Sequence, residues 1–229
     1  GPYYFSHYNF KCASVWRDEF MQAAHVKNFK VEPDSYSYHG MALLFHDPAL
    51  KEGDLSKYPT HRYFPDMGIA AFRTNWDDPN ALAVFFKCSP YGGHLLNEYR
   101  DATTPPRYVN VAHDHPDAGE FLVAWKGQRF AQDFGNDKRK TDQHSTIKVN
   151  GKDQAGAGMG YTQPIPDMGK RARIEQYFGA KGYGVIRGEA GRNYDDLTRF
   201  ARTLLYIDDA YVLIADVIQA KQAATIDWY

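Results

Sequence analysis

Short runs of β-branched and aromatic residues, separated by tight turn signals, dominate the chain from residue 63 onward. Asn150-Gly151 is the strongest two-residue hairpin turn, and Asp208-Asp209 marks another. Strands joined by such short turns pair antiparallel, because a parallel crossover needs about a dozen residues or more. The pattern therefore predicts a large antiparallel β-sandwich built as a meander. Its predicted strands are 69–73, 81–87, 120–125, 129–133, 144–149, 172–178, 184–189, 197–207 and 210–218.

The first 60 residues have a different pattern. Residues 14–30 combine a candidate N-cap, Ser14, with acidic Asp18 and Glu19 in the first turn and apolar residues at helical spacing. This segment predicts a helix that precedes the sandwich.

The rest of the amino-terminal region predicts a shorter helix at 38–45 and a connector at 46–64, where proline and glycine interrupt any periodicity. The predicted domains are a helical tail with its connector at residues 1–60 and a β-sandwich domain at 61–229. Because the chain opens with Gly-Pro and stops inside a strand-like segment, we expect it to be part of a longer protein.

Composition and charge exclude several functional classes. The formal net charge of -1 argues against a nucleic-acid-binding domain, and no stretch has the roughly 18 apolar residues of a membrane helix. Aromatic residues make up 15% of the chain, which suits a sandwich core and also a sugar-binding groove. The two cysteines form no metal or redox motif, and we expect free buried thiols.

Histidines and a carboxylate recur along the middle of the chain. His113 and His115 point to the same side of an extended segment. A hairpin turn after them would return Asp133 towards His115, and His144 follows soon after. Two imidazoles and one carboxylate are a common ligand set for zinc or another divalent ion. The alternative is that these are polar surface residues.

A second metal motif overlaps this segment. His113, His115, Glu120 and Gly127 match most of the first metal motif of the cupins. The glycine that this motif places before the first histidine is Arg107 here, and no second cupin motif surrounds His144.

A longer ordered series of segments resembles the heparinase II/III-like superfamily of polysaccharide lyases, particularly the oligoalginate- and heparin-lyase family 15 group. The His113-Asp114-His115 stretch, which continues through Pro116-Asp117 to a phenylalanine, is similar to the family's histidine signature, and dermatan-sulfate epimerases carry a closely similar one. The resemblance covers roughly residues 60–229. It rests on segments 63–74, 83–94, 113–121, 127–135, 200–218 and 226–228.

The resemblance implies a central β-sandwich behind an amino-terminal (α/α) toroid, whose end would be the helical tail at residues 1–60. It also implies an anionic, uronic-acid-containing polysaccharide such as alginate or heparan sulfate as substrate, and β-elimination as the reaction. A periplasmic or secreted bacterial setting follows from the same resemblance.

The resemblance also implies roles for individual residues. His113 matches the family's substrate-contacting histidine, a catalytic acid/base or carboxylate-neutralising group. Asn110 and Arg107 lie where relatives carry substrate contacts. A structural divalent metal, zinc with manganese or calcium as alternatives, would organise the cleft wall. Its ligands would be His115, Asp133 and His144.

Three functional alternatives remain open from the sequence. The first is part of a polysaccharide lyase, and the second is a uronosyl C5-epimerase, which shares the proton abstraction. The third is a cupin-like metalloenzyme or a non-catalytic sugar-binding domain. The family's catalytic tyrosine and its Asn/His partner lie on the toroid, so we expect this chain alone to be weakly active or inactive.

Overall fold

A computed structural model of the protein describes residues 12–31, 46–102, 114–131, 133, 139–158 and 167–229. Contacts between residues divide the chain into two compact units, Gly1–Pro59 and Thr60–Tyr229. No helix in the described ranges is long and apolar enough to cross a membrane. Both cysteines are free thiols, but only Cys88 is buried as predicted, and Cys12 is partly exposed.

The first unit contains helix α1, Glu19–Val31. The prediction of one helix capped by Ser14 is wrong, because residues 12–16 form a separate helical turn that ends at Arg17, whose φ is 56°. Asp18 is the true cap, and its Oδ1 accepts a 2.9 Å hydrogen bond from the Met21 backbone N–H. The predicted helix at 38–45 lies outside the described residues.

The second unit is mainly β, and its antiparallel strands confirm the predicted fold class. The strands are β1 His61–Phe64, β2 Ile69–Arg73, β3 Ala83–Lys87, β4 Glu120–Trp125, β5 Gln128–Ala131, β6 Ile147–Val149, β7 Arg173–Ala180, β8 Tyr183–Glu189, β9 Leu197–Ile207, β10 Tyr211–Ala220 and β11 Ile226–Trp228. A five-stranded sheet has the order β1 to β5, and a four-stranded sheet has the order β10, β9, β8, β7.

Three features of this unit differ from the predictions. The connector predicted to reach residue 64 ends earlier, because β1 pairs with β2. Helix α2, His94–Ala102, was not predicted. The Asn150-Gly151 turn forms with positive φ at both residues and is closed by one bridge between Val149 and Lys152. The hairpin extends no further, and β6 pairs instead with the distant β11.

The two larger sheets pack face to face around one hydrophobic core. Phe72 of β2 stacks on Tyr206 of β9, with ring centroids 5.7 Å apart. A Cβ at Gly184 would lie 2.1 Å from the Phe72 ring, and one at Gly188 would lie 2.5 Å from Cys88 Cβ. Glycine at these two positions of β8 therefore permits the close approach of the sheets.

Strand alternation places charged residues on the outer face of the five-stranded sheet. Phe86 and Phe121 are cross-strand partners buried in the core. Their neighbours Lys87 and Glu120, also cross-strand partners, consequently point to the opposite face. This outer face is where the candidate site lies.

Arg202 of β9 links the two sheets through a buried network. Its side chain, which is 1% exposed, forms a bidentate pair with Asp216 at 2.8 Å for both bonds. Its Nη1 donates to the carbonyls of Gly119 and Ser145 at 2.9 and 2.8 Å. One guanidinium thereby holds the segments before β4 and before β6 against the four-stranded sheet.

Replacing this guanidinium should strongly destabilise the fold. We expect Arg202→Met to lower the free energy of unfolding by about 3–5 kcal/mol, because two buried carbonyls lose the donor Nη1 and Asp216 keeps only its hydrogen bond from Trp228. The matched control is Arg199→Met on the same strand. Arg199 is 39% exposed and 3.7 Å from Glu189, so its loss should cost under about 1 kcal/mol. Urea unfolding measures both variants, and equal losses would contradict the special role of Arg202.

Candidate metal centre

Two histidines and an aspartate converge on the outer face of the five-stranded sheet. His115 precedes β4, Asp133 follows β5, and His144 precedes β6. The Oδ2 atom of Asp133 lies 3.8 Å from His115 Nδ1 and 3.7 Å from His144 Nδ1. The two imidazole rings are tilted, with centroids 5.1 Å apart. The fold thus brings together three residues that are far apart in sequence.

Glu120 forms a buried pair with His144. Its Oε1 lies 3.1 Å from His144 Nδ1, and the residues are 4% and 2% exposed. Burial raises the pKa of Glu120, and the hydrogen bond with His144 opposes that shift only in part. Burial lowers the pKa of His144, but the hydrogen bond with Glu120 and its charge outweigh burial, so the net shift is upward. The carboxylate therefore orients the ring.

A second ion pair lies beside this one. Lys87 Nζ is 2.6 Å from Asp117 Oδ2, and the Asp117 side chain is 6% exposed. Asp117 is fixed by the turn into β4, where the Glu120 N–H donates to its carbonyl at 2.9 Å. Burial lowers the pKa of Lys87, but the charge and hydrogen bond of Asp117 outweigh it and raise the pKa.

A buried polar network fixes the segments that carry these side chains. Gln154 bonds both backbone groups of Ala118, accepting from its N–H at 3.1 Å and donating to its carbonyl at 2.9 Å. The Thr146 hydroxyl donates to the same carbonyl at 3.0 Å. Together with Arg202, these bonds set the separation between Glu120 and His144.

The chemistry and spacing of His115, Asp133 and His144 fit a divalent cation. His115 Nε2 and His144 Nε2 are buried and have no hydrogen-bond partner within the described part of the chain. Two donors on one tetrahedral ion, each about 2.1 Å from it, lie roughly 3.4 Å apart, so ligands of one ion must lie within a few ångströms of one another. Within the described residues, His115, Asp133 and His144 form one group whose donor atoms all lie within 4.8 Å. These residues could hold a metal ion.

The structure places only some of the predicted site residues. His115, Asp133 and His144 are together, whereas His113, Asn110 and Arg107 lie outside the described residues. Lys87, Asp117 and Arg202 were not predicted. A charged residue at the end of an apolar strand was the sequence signal for Lys87, and Asp117 stands in the histidine signature, whereas no sequence signal singled out Arg202.

The chain thus contains an antiparallel β-sandwich domain with a group of potential metal ligands on the outer face of one sheet. Residues 57–229 match the family described as Heparinase II/III-like, C-terminal. The chain therefore belongs to the heparinase II/III-like family, as the resemblance in its sequence predicted. No curated protein matches the chain.

Solved structures share the fold at low sequence identity. Heparan sulfate lyase HepC from Pedobacter heparinus is 20% identical, with a TM-score of 0.57 over 91% of this chain and 29% of its own. A heparinase III gene product is 17% identical, with a TM-score of 0.56 over 92% of this chain and 28% of its own. The chain thus spans less than a third of the length of these proteins. The family match gives the cupin alternative no support.

Substitutions at the two carboxylates should separate a metal ligand from the residue that orients the ligand. We expect Asp133→Ala to lose the bound ion, and Glu120→Gln to keep one ion with about tenfold weaker affinity, because it perturbs only the partner of His144. Isothermal titration with zinc and elemental analysis measure both effects.

The control is Asp142→Asn, whose carboxylate bonds Lys148 at 3.1 Å and is not in the cluster. Full metal content and affinity in Asp133→Ala would contradict the ligand assignment. Complete loss of metal in Glu120→Gln would instead make Glu120 a ligand, as in the cupin arrangement.

Proposed function

We propose that this chain is the sandwich portion of a polysaccharide lyase that cleaves uronic-acid-containing polysaccharides by β-elimination. The observation that best supports this proposal is the family match across residues 57–229. The buried histidine–carboxylate cluster on the outer sheet face supports the proposal, since it would fix one wall of a cleft. Alginate and glycosaminoglycans such as heparan sulfate are the substrate classes, and the named neighbours favour heparan sulfate.

The reaction requires charge neutralisation and proton transfer. A base removes the proton from C5 of the uronate, and the C5–H electrons form the C4–C5 double bond. The C4–O4 bond breaks, and its electrons leave with the oxygen, which takes up a proton from an acid. Because the C5–H is weakly acidic, a group that neutralises the uronate carboxylate must act together with the base.

We assign His113 as the acid/base or carboxylate-neutralising group of this chain, with Asn110 and Arg107 as substrate contacts. These assignments rest on the family's histidine signature and the positions just before it.

We propose zinc as the structural metal, with manganese as an alternative, held by the two imidazoles and Asp133. Calcium is the poorer fit because it prefers oxygen ligands. When bound, the ion would supply positive charge and join the segments before β4, after β5 and before β6. Elimination uses no hydrolytic water, so the chain's own residues would carry the proton transfers.

The remaining parts of the proposal concern the whole protein. We propose that the helical tail within residues 1–60 forms the end of an (α/α) toroid, that the toroid supplies a catalytic tyrosine and an Asn/His partner, and that the protein is periplasmic or secreted. The family membership supports all three.

Loss of His113 should abolish elimination. The assay measures the ultraviolet absorbance of the new C4–C5 double bond on a panel of alginate, heparin, heparan sulfate and chondroitin or dermatan sulfate. We expect the full-length parent protein to give this absorbance on one polymer of the panel. His113→Ala should reduce that rate by at least about 100-fold. His94→Ala on helix α2 is the matched control and should retain activity.

If the parent protein gives no ultraviolet signal on any polymer of the panel, the proposal that it is a lyase is wrong. Exchange of the C5 proton with solvent deuterium, without an unsaturated product, would identify the epimerase instead.

The isolated chain should be far less active than its parent. We expect its elimination rate on the same polymer to be at least about 100-fold lower, because half of the acid–base apparatus would be missing. The comparison uses equal molar concentrations and the same absorbance assay, with circular dichroism confirming that the chain is folded. A near-normal rate from the chain alone would contradict the assignment of catalytic groups to the toroid.

A further inference from the structure

Lys87, the last residue of β3, is bonded to the segment that carries the candidate ligand His115. We call residues 114–119 the His115 segment. The Nζ atom of Lys87 lies 2.6 Å from Asp117 Oδ2, two residues after the histidine. Its backbone carbonyl accepts a 2.8 Å hydrogen bond from the Gly119 N–H. The same residue therefore contacts the His115 segment at two points, through its side chain and through its backbone.

The ion pair holds the part of the segment that is near the histidine. The buried network described above bonds Ala118 and Gly119, which are farther along the chain from His115. The Asp117 side chain is only 6% exposed. Separating a buried pair is costly, because it leaves a desolvated carboxylate without its partner. Lys87 therefore restrains the backbone close to His115.

The same ion pair lies next to the residue that orients the other histidine. Lys87 is the cross-strand partner of Glu120, and the Glu120 N–H donates to the Asp117 carbonyl at 2.9 Å. The Glu120 carboxylate in turn pairs with His144 Nδ1 at 3.1 Å. Asp117 thus stands between His115 and Glu120 along the chain, and Lys87 holds it in place.

We propose that Lys87 is a positioning residue of the metal centre, whose ion pair with Asp117 holds His115 where it can bind the same ion as His144. This inference rests on the metal centre proposed above. Lys87 acts through Asp117 and does not itself bind the ion.

The charge of Lys87 and its positioning role affect metal affinity in opposite directions. An ammonium close by repels a divalent cation, so charge alone would make Lys87→Met bind zinc more tightly than the wild type. Release of Asp117 would instead loosen the His115 segment, and loss of a residue that orients metal ligands typically costs about 10- to 100-fold in affinity. The direction of the change therefore separates the two effects.

The test is the zinc affinity of the folded chain, measured by competition with a chromophoric chelator. We expect Lys87→Met to bind one zinc ion at least about tenfold more weakly than the wild type. Lys87→Arg, which keeps the positive charge and the donors, should recover most of the loss. Cobalt gives a second readout, because its visible absorption reports ligand geometry. The cobalt spectrum should change in Lys87→Met and return in Lys87→Arg.

Phe72→Leu is the matched control for a loss of stability alone. Phe72 is 1% exposed, packs between the two sheets and is not part of the metal cluster. Its substitution should lower the Tm but keep the zinc affinity and the cobalt spectrum of the wild type. If Lys87 had a purely structural role, Lys87→Met would behave in the same way.

A double variant covers the case in which Lys87→Met does not fold. Lys87→Met/Asp117→Asn keeps the net charge and leaves no member of the pair charged and buried alone. It should also bind zinc at least about tenfold more weakly than the wild type. Wild-type or tighter affinity in the folded variant, or an unchanged cobalt spectrum, would overturn the role of Lys87 and leave the metal centre intact. A wild-type chain that binds no zinc would overturn the metal centre itself and the inference with it.

Discussion

The contact on which this fold most depends is between Arg202 and the two backbone carbonyls that it holds. A guanidinium is the only side chain with enough donors to bond Asp216 through two atoms and still reach Gly119 and Ser145. Three aromatic rings surround the guanidinium. Its Cζ atom lies 5.1 to 5.4 Å from the ring centroids of Phe121, Phe200 and Trp228. Because the pair is buried, each partner depends on the other being present.

This contact explains how the candidate site is held in place although His115, Asp133 and His144 lie outside the strands. Loop side chains usually have many conformations, but the segments around Glu120 and His144 are bonded to a buried strand of the opposite sheet. Gln154 and Thr146 add bonds between the same two segments. The site therefore derives its geometry from the sandwich core, on the far side of the sheet from the ligands.

Local patterns in the sequence predicted most of the strands because alternation and turn chemistry are local properties. Strands β2 and β4 begin and end as predicted, and the Asp208-Asp209 turn has positive φ at both residues. The pairing of β6 with β11 could not be predicted, since it joins residues about 80 apart and depends on tertiary packing. The same limit applies to the site. The grouping of His115, Asp133 and His144 was predicted. The role of Arg202 follows only from its bonds to two carbonyls that are distant in sequence, and the role of Lys87 follows only from its contact with Asp117.

The dispersed origin of the cluster has a consequence for biogenesis. Its donors come from three separated segments, and Arg202 from the other sheet holds two of them, so a competent cluster exists only after both sheets have docked. A nascent or half-assembled chain would present isolated histidines with weak affinity for any ion. Loading of the ion proposed above would then follow the docking of the two sheets, and the loaded fraction of a preparation would count the molecules that had completed folding.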